Sequence, residues 1–353
     1  MKKIGILKKK ANKEKALAET KVEERKTERE KVEERRKEVL NRGKKFKYPL
    51  QYSKHKLVFN TIIVAIVAIV LVSVMGWFAL YKMQSSVDVL YRITRILPLS
   101  VAQVDGKDVR FSDYLMIFRS SIKTVSQSDV GVDVDALSRE YKKIALNDAE
   151  EYTYALKLAE ELGVEVTDEQ VEELFSEHRK VDGVERSEES FLKVLQDNFG
   201  LSKDEYKRML YLSLVKMEVE KKIDEAAKDL TAQIEKILAE NGGSLGDAAR
   251  ALEGKVYYEE TGGMVDSRNV DGGRASAAMK LKKGEISKAF VSSNGDSYYF
   301  VKLIDKNEDT LQVNYASIKI PFTEFANKME EIRENGGIKE YIDVREEELE
   351  QEQ

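Results

Sequence analysis

One uncharged stretch limits what this chain can fold into. Residues 57–81 read LVFNTIIVAIVAIVLVSVMGWFALY and contain no Asp, Glu, Lys or Arg. A helix rises about 1.5 Å per residue, so this stretch covers roughly 37 Å, which is enough to cross a hydrocarbon core of about 30 Å. A buried core helix normally keeps a polar stripe, whereas Asn60, Thr61 and Ser73 share no common face. The stretch therefore predicts a membrane span.

The position of this stretch argues against a cleaved signal peptide. Such a peptide has a short basic leader, an apolar run of about 7 to 15 residues and a small-residue cleavage site. Here 56 residues precede a longer apolar run. We therefore expect the span to remain in the chain as an uncleaved anchor.

The charges that flank the span predict its orientation. Residues 39–56 contain six basic residues and no acid, whereas residues 82–96 contain three basic residues and Asp88. Cytoplasmic flanks of membrane helices are enriched in Lys and Arg. We therefore expect a single-pass protein of the cell membrane, with its N-terminus in the cytoplasm and its C-terminal part outside.

The two sides of the span also differ in overall charge. Residues 1–56 carry 21 Lys and Arg against 9 Glu, while the remaining residues carry 38 basic against 55 acidic side chains. A basic inner arm is suited to anionic lipid head groups, and an acidic outer part stays soluble beside them. The chain has no cysteine, which excludes disulfides, thiol catalysis and zinc–thiolate sites.

The inner arm is low in sequence complexity. Residues 11–42 interleave Glu, Lys and Arg with few apolar positions and no sustained heptad. Pairs such as Glu38 with Arg42 favour a solvated single helix, each contributing about 0.2–0.5 kcal/mol. Anionic lipid or the ribosome are the alternative partners of this arm. We expect no specific nucleic acid, because no aromatic residue is interleaved before Phe46.

Capped helices dominate the chain after a connector at residues 82–99. Residues 101–110 predict a strand pair that turns at Asp105-Gly106. Hydroxyl capping residues and apolar side chains at three- and four-residue spacing predict helices that begin near Ser112, Thr167, Ser187 and Ser202. This part therefore predicts a multi-helix module.

The order of these pieces resembles a known family. The turn VDGK before a helix, the segment AEELGVEVTDEQV at 159–171 and the segment FLKVLQDNFGLSKDEYKRML at 191–210 follow one another. This order is similar to the N-terminal chaperone module of SurA-like and PpiD-like extracytoplasmic foldases, over about residues 100–225. The resemblance implies a helical domain whose partners are unfolded or nascent exported polypeptides.

The next part resembles a parvulin-type prolyl isomerase domain. Gly262-Gly263, residues 281–287, the turn at Asn294-Gly295 and a strand at 298–303 resemble the second half of that domain, and residues 231–240 and 245–252 resemble its helices. Its opening strand is missing before residue 231. Residues 311–320 read like this strand, so we expect them to complete the sheet by pairing with residues 298–303. Thr323 is expected to cap a last helix.

The resemblance also indicates where an isomerase site would lie. Parvulins use two histidines with an aspartate or cysteine, and a methionine and a phenylalanine that line the proline pocket. The only histidines here, at positions 55 and 178, lie outside this domain. We therefore assign no catalytic residue, and we expect no cofactor and no metal. Carried over position by position, the candidate remnant pocket consists of Met264, Val270, Arg274, Tyr299 and, if residues 311–320 supply the first strand, Ser317.

These features predict an α+β fold that is predominantly helical, with a small antiparallel-sheet domain. The expected function is a membrane-anchored extracytoplasmic chaperone whose parvulin-like domain has lost its catalytic residues. An active peptidyl-prolyl isomerase and a structural membrane tether are the alternatives. The expected segments are a charged cytoplasmic arm at 1–56, a transmembrane helix at 57–81, a connector at 82–99, a SurA-like helical chaperone domain at 100–228, a parvulin-like domain at 229–320, and a C-terminal helix with an acidic tail at 321–353.

The expected orientation can be tested with protease on intact cells. We expect added protease to degrade the part of the chain after residue 81 and to spare an epitope tag at Met1, because the basic flank holds the N-terminus inside. Immunoblots for tags at the two ends provide the measurement, and permeabilised cells provide the control. Protection of the C-terminal tag in intact cells would overturn this orientation.

Overall fold

The computed structural model describes residues 3–128, 134–181, 184–240 and 242–344. The chain divides into two units, Met1–Gly76 and Trp77–Gln353. The first unit lies within helix α1, Lys3–Tyr81. The second unit begins with the last turn of α1 and contains every other helix and strand.

Helix α1 has a charged part and an apolar part. In the charged part, Arg42 and Glu38 form the expected ion pair at 3.0 Å. The apolar part, Lys56–Tyr81, is long and apolar enough to cross a membrane. Its Thr61 and Ser73 hydroxyls donate to backbone carbonyls one turn earlier, both at 2.9 Å. These bonds satisfy the hydroxyl donors within the helix, as a lipid environment requires.

The second unit is mostly helical, with three small antiparallel sheets. Its helices are α2 Asp88–Ile96, α3 Phe111–Ser128, α4 Val134–Leu162, α5 Asp168–His178, α6 Glu188–Val194, α7 Lys203–Ile223, α8 Glu225–Glu240, α9 Leu245–Ala251, α10 Arg274–Met279 and α11 Glu324–Glu334. Its strands are β1 Ser100–Val104, β2 Lys107–Arg110, β3 Lys180–Val181, β4 Val184–Glu185, β5 Tyr257–Glu260, β6 Val265–Asp266, β7 Phe290–Val291, β8 Ser297–Asn307, β9 Gln312–Pro321 and β10 Ile338–Glu340.

The predicted helix starts agree closely with the structure. Thr167 and Ser202 each form a capping box with the residue three positions later, and the Ser187 hydroxyl accepts from the Ser190 amide. These bonds satisfy amides that the first turn of a helix leaves without partners. Helix α3 begins at Phe111, one residue before the predicted Ser112.

A helical core forms between α3, α4 and α7. Its largest buried side chains include Tyr114, Leu146 and Leu212. Leu80 from the last turn of α1 and Tyr91 from α2 are buried in the same core. The segment expected to be a connector therefore contains a helix that packs into the domain, and the apolar helix ends inside the core.

The end of the chain returns to this helical core. Strand β10 pairs with β1 and completes the sheet β10-β1-β2, in which β1 and β2 form the predicted hairpin at Asp105-Gly106. Helix α11 buries Phe325 and Met329 in the helical core. Residues 324–340 thus pack with α3, α4 and α7, although they follow the sheet described next.

The largest sheet has the order β5-β9-β8-β7, with β6 also beside β9. Leu303 of β8 lies opposite Tyr315 of β9, which confirms the expected pairing of residues 311–320 with 298–303. One face of the sheet packs Phe300 and Ile318 with the core that includes α8 and α9, and the other face packs Val301 with α10. Of the strands in this sheet, β9 comes last in the sequence, and it therefore lies inside the sheet with strands on both sides.

One carboxylate joins the helical core to the sheet. Asp224, which is 1% exposed, lies between α7 and α8. Its Oδ1 accepts from the Ala227 amide at 2.8 Å, and its Oδ2 accepts from the Thr323 and Glu324 amides at 2.6 and 3.0 Å. The prediction that Thr323 caps α11 is wrong, because its side chain makes no capping bond and Asp224 takes that role. Asp224 thus caps the two helices at which the chain leaves and re-enters the helical core.

We expect Asp224→Ala to lower the free energy of unfolding by roughly 2–4 kcal/mol, because one buried and two partly buried amides lose a charged acceptor. Asp224→Asn keeps one carbonyl acceptor and should have a smaller effect. Thr323→Ala is the matched control and should change the free energy by less than about 0.5 kcal/mol, since the Thr323 side chain makes no cap. Urea unfolding of the full chain in lipid nanodiscs, followed by circular dichroism, measures these values. Equal losses for Asp224→Ala and Thr323→Ala would show that the shared cap does not stabilise the fold.

Candidate functional site

Three of the five candidate residues lie together on the largest sheet. Arg274 begins α10, Tyr299 lies on β8 and Ser317 lies on β9. The Arg274 Nη1 donates to the Ser317 Oγ at 3.3 Å, and the guanidinium carbon lies 5.1 Å from the centre of the Tyr299 ring. These three side chains are therefore neighbours, and we call them the arginine cluster.

The other two candidates lie on loops. Val270, in the loop before α10, is 99% exposed. Met264 is exposed in the turn between β5 and β6. Neither side chain is buried against the arginine cluster, so an apolar pocket made from these two positions is not formed.

Three residues that sequence analysis did not select complete the arginine cluster. The Arg274 Nη1 pairs with Glu259 of β5, and its Nε donates to the Asp271 carbonyl at 2.8 Å. The Asp271 carboxylate accepts from the Ala275 amide at 3.0 Å and from the Tyr315 hydroxyl at 2.5 Å. The role of Asp271 could have been predicted, because an aspartate shortly before a helix is a common capping signal. Glu259 of β5 and Tyr315 of β9 could not have been predicted from local sequence, because they lie 15 and 41 residues away from Arg274.

The charges of this cluster are fixed at neutral pH. Burial, and then the bond to Asp271, raises the pKa of Tyr315 above that of a free tyrosine. Burial opposes the charge of Arg274, but the bond to Glu259 and the neighbouring tyrosines raise its pKa. Tyr315 therefore stays protonated and Arg274 stays charged. The arrangement supplies hydrogen bonds and one ion pair, which fit a structural role.

Tyr299 is covered by its neighbours. Only 5% of this residue is exposed, and its ring lies 6.0 Å from the ring of Phe290. The loop also closes over it at Gly272, which has a φ of +77° and where a Cβ would lie 2.9 Å from the Tyr299 Cε2. Only glycine combines this backbone conformation with so close an approach. The ring is therefore part of the packed interior.

The edge of the sheet beside the cluster is open. Strand β5 pairs with β9 on one side, and it is the outermost strand in the order of this sheet. All four of its residues are exposed, including Tyr257 and Tyr258. A strand at such an edge presents unpaired backbone groups that an extended chain can bind.

Several other polar groups in the second unit have local partners. The His178 Nδ1 lies 2.7 Å from the Tyr206 hydroxyl, and burial lowers the pKa of His178. The side chain of His55 lies outside the described residues. A cavity of about 410 Å³ lies between α7 and the sheet, and the lysines at its wall are engaged: Lys222 donates to the Leu162 carbonyl and Lys228 to the Lys222 carbonyl. Among the described residues, no group of three or more His, Cys, Asp or Glu could hold a metal ion.

We expect Gly272→Ala to lower the free energy of unfolding by roughly 2–4 kcal/mol, through backbone strain and the clash with Tyr299. Gly262→Ala is the matched control. Gly262 also has a positive φ, of +64°, but nothing lies within 4 Å of an added Cβ. The control should therefore lose only about 1 kcal/mol. Urea unfolding in nanodiscs gives both values, and equal losses would show that Tyr299 is not packed against this loop.

Comparison with known proteins finds one family model that matches part of the chain. Residues 51–219 match the family model of the SurA-like N-terminal domain. The matched range begins before the apolar helix and continues to the last turns of α7. No curated protein is significantly similar to the chain. The resemblance found in the segments 159–171 and 191–210 is thereby confirmed, and the chain contains a SurA-like N-terminal domain.

Proposed function

We propose that the chain is a membrane-anchored chaperone that binds unfolded exported polypeptides outside the cytoplasm and has little or no isomerase activity. The observation that carries this proposal is the SurA-like N-terminal domain at residues 51–219, which supports a chaperone-type role. The apolar helix Lys56–Tyr81 lies inside the same matched range, which supports its role as the anchor of that domain.

The proposed location follows from the charges around the anchor. Its basic flank favours a cytoplasmic N-terminus, and the acidic remainder then lies outside. Anionic lipid or the ribosome remain proposed partners of the basic arm at residues 1–56, since both carry negative charge.

The sheet of the second unit supports a parvulin-like domain at residues 229–320. The segment expected to replace the missing first strand, at residues 311–320, forms the central strand β9. Helices α8 and α9 cover one face of this sheet, as the resemblance implies. The domain would then be built with its first strand supplied from its C-terminal end.

The arginine cluster supports the loss of isomerase activity. Rotation of an X-Pro bond crosses a barrier of about 18–20 kcal/mol, and catalysis requires a proline pocket beside polar groups aimed at the twisted amide. Here Tyr299 and Ser317 are buried, and Arg274 is paired with Glu259. These groups bind one another, so they are not arranged to bind a prolyl bond.

The open edge at β5 is a suitable surface for unfolded chains. Backbone pairing at a sheet edge depends little on the sequence of the bound segment, which suits a chaperone with many clients. Tyr257 and Tyr258 add exposed aromatic surface beside these backbone groups. We therefore propose that an extended client segment binds along β5.

The experiment measures two activities of the full chain in lipid nanodiscs. We expect it to suppress the aggregation of a chemically unfolded model protein at near-stoichiometric ratios, as measured by light scattering, because binding needs only exposed apolar and backbone surface. We expect a proline-limited refolding phase of a second model protein to remain almost unchanged, because a lost catalytic group typically costs about 100-fold or more.

The double variant Tyr257→Ser/Tyr258→Ser should suppress aggregation less well, whereas Tyr341→Ser, an exposed tyrosine outside this edge, is the control and should behave as the original chain. A refolding phase that accelerates at catalytic concentrations, and that Tyr299→Phe abolishes, would establish an isomerase with unfamiliar residues. No effect on aggregation or on refolding would favour the structural tether.

A further inference from the structure

A short amphipathic helix follows the apolar anchor. Helix α2, Asp88–Ile96, begins seven residues after Tyr81. The amides of Lys82, Met83 and Ser85 donate back to the last turn of α1, so the chain turns at once when the apolar helix ends. The six intervening residues can span at most about 21 Å. Helix α2 therefore lies close to the point where the anchor would leave the bilayer.

One face of α2 is apolar and exposed. Val89, Ile93 and Ile96 follow one another at spacings of four and three residues, which places them on one side of the helix, and the exposed Leu97 follows directly at its C-terminal end. Ile96 is 83% exposed and Ile93 is 38% exposed. We call this set the α2 stripe. The opposite side of α2 is buried through Tyr91 and Thr94, so α2 cannot turn the stripe inward without breaking the helical core.

Exposed apolar side chains are concentrated around this helix. Met83 and Val87, which are also exposed, bring the number of large exposed apolar side chains within residues 83–97 to six. The next densest group among the described residues after Tyr81 holds four, within residues 257–270. Soluble domains seldom expose large apolar side chains in such numbers unless these side chains contact a partner or a membrane.

Polar contacts hold α2 firmly beside the end of the anchor. The Tyr91 hydroxyl donates to Glu205 at 2.6 Å, and Arg119 donates to the Ser86 carbonyl at 2.8 Å and pairs with Asp88 at 3.0 Å. The Tyr81 hydroxyl donates to the Ser100 carbonyl at 2.8 Å, which fixes the last turn of α1 on the same helical core. The stripe and the end of the anchor are thus parts of one packed body.

We propose that the α2 stripe lies in the outer surface of the membrane, with its apolar side chains at the boundary between head groups and acyl chains. This inference rests on the proposed membrane anchoring. Amphipathic helices bind at this depth with their long axis parallel to the surface. Arg92 lies beside the stripe with a side chain that is 75% exposed, and long basic side chains of this kind extend toward head groups. Lipid is favoured over an unfolded polypeptide as the occupant because the stripe begins only eight residues after Tyr81, where the apolar helix ends.

Such a contact has a consequence for the chaperone domain. A single span allows the domain to rotate and tilt freely above the membrane. A second apolar contact, fixed to the same core, holds the domain in one orientation on the surface. The domain would then present the same face to polypeptides at every encounter.

The cysteine-free chain allows a clean labelling experiment. Single variants Ile93→Cys, Ile96→Cys, Ala68→Cys and Val184→Cys carry an environment-sensitive fluorophore. Each full chain is placed in nanodiscs of phosphatidylcholine and phosphatidylglycerol, with or without lipid that carries a nitroxide quencher. Ala68 reports on the anchor, and the exposed Val184 on the β3–β4 hairpin reports on water.

We expect labels at positions 93 and 96 to show blue-shifted emission and several-fold quenching by the nitroxide lipid, as at position 68. The label at position 184 should show neither. Circular dichroism confirms that each variant is folded, and the highly exposed position 96 provides a readout that does not depend on the half-buried position 93.

Two results would overturn the inference. The first is quenching at position 68 with none at 93 and 96, which leaves the anchor intact and removes only the surface contact. The second is shielding at 93 and 96 that appears only after an unfolded polypeptide is added, which makes the stripe a client surface. Absence of quenching at position 68 would instead contradict the proposed anchoring.

Discussion

The arrangement of the second unit depends on the buried carboxylate of Asp224. The chain leaves the helical core after α7, builds the whole sheet, and returns as α11 about 100 residues later. Asp224 caps both helices at this crossing, so the departure and the return are fixed at one point. A carboxylate at the positive ends of two helices is favourable for electrostatic reasons as well as for its hydrogen bonds. The sheet is thus an insertion within a helical body that α11 and β10 complete.

The same helical body receives the end of the apolar helix. Leu80 and Tyr81 pack against it, and α2 covers it on the side that exposes the α2 stripe. The last turn of α1 is therefore joined to the rest of the second unit by packing as well as by the peptide chain. Within the second unit, α2 and the open edge at β5 are the two surfaces that we propose for contacts with lipid and with unfolded chains, while the arginine cluster stabilises the sheet.

Local signals in the sequence predicted local structure well. The capping boxes at Thr167 and Ser202, the hairpin at Asp105-Gly106 and the pairing of β8 with β9 each depend on residues that are close in sequence. Contacts between distant residues were not predicted. Asp224 caps α11 from 100 residues away, and the three-residue strand β10 gains its partner only from β1. The sequence predicts only a connector at α2 because two turns of apolar periodicity are too few to distinguish a helix from a linker.

The candidate site was predicted in the same uneven way. Arg274, Tyr299 and Ser317 were found by position within a resembling family, whereas Glu259, which pairs with Arg274, and Tyr315, which donates to Asp271, were not found. The central claim is that the chain binds unfolded polypeptides along β5. Hydrogen exchange of the full chain in nanodiscs, with and without a saturating unfolded polypeptide, tests this claim most directly. The account predicts slower exchange at the backbone amides of β5 and unchanged exchange around Tyr299. Unchanged exchange throughout the chain would contradict the proposed chaperone function.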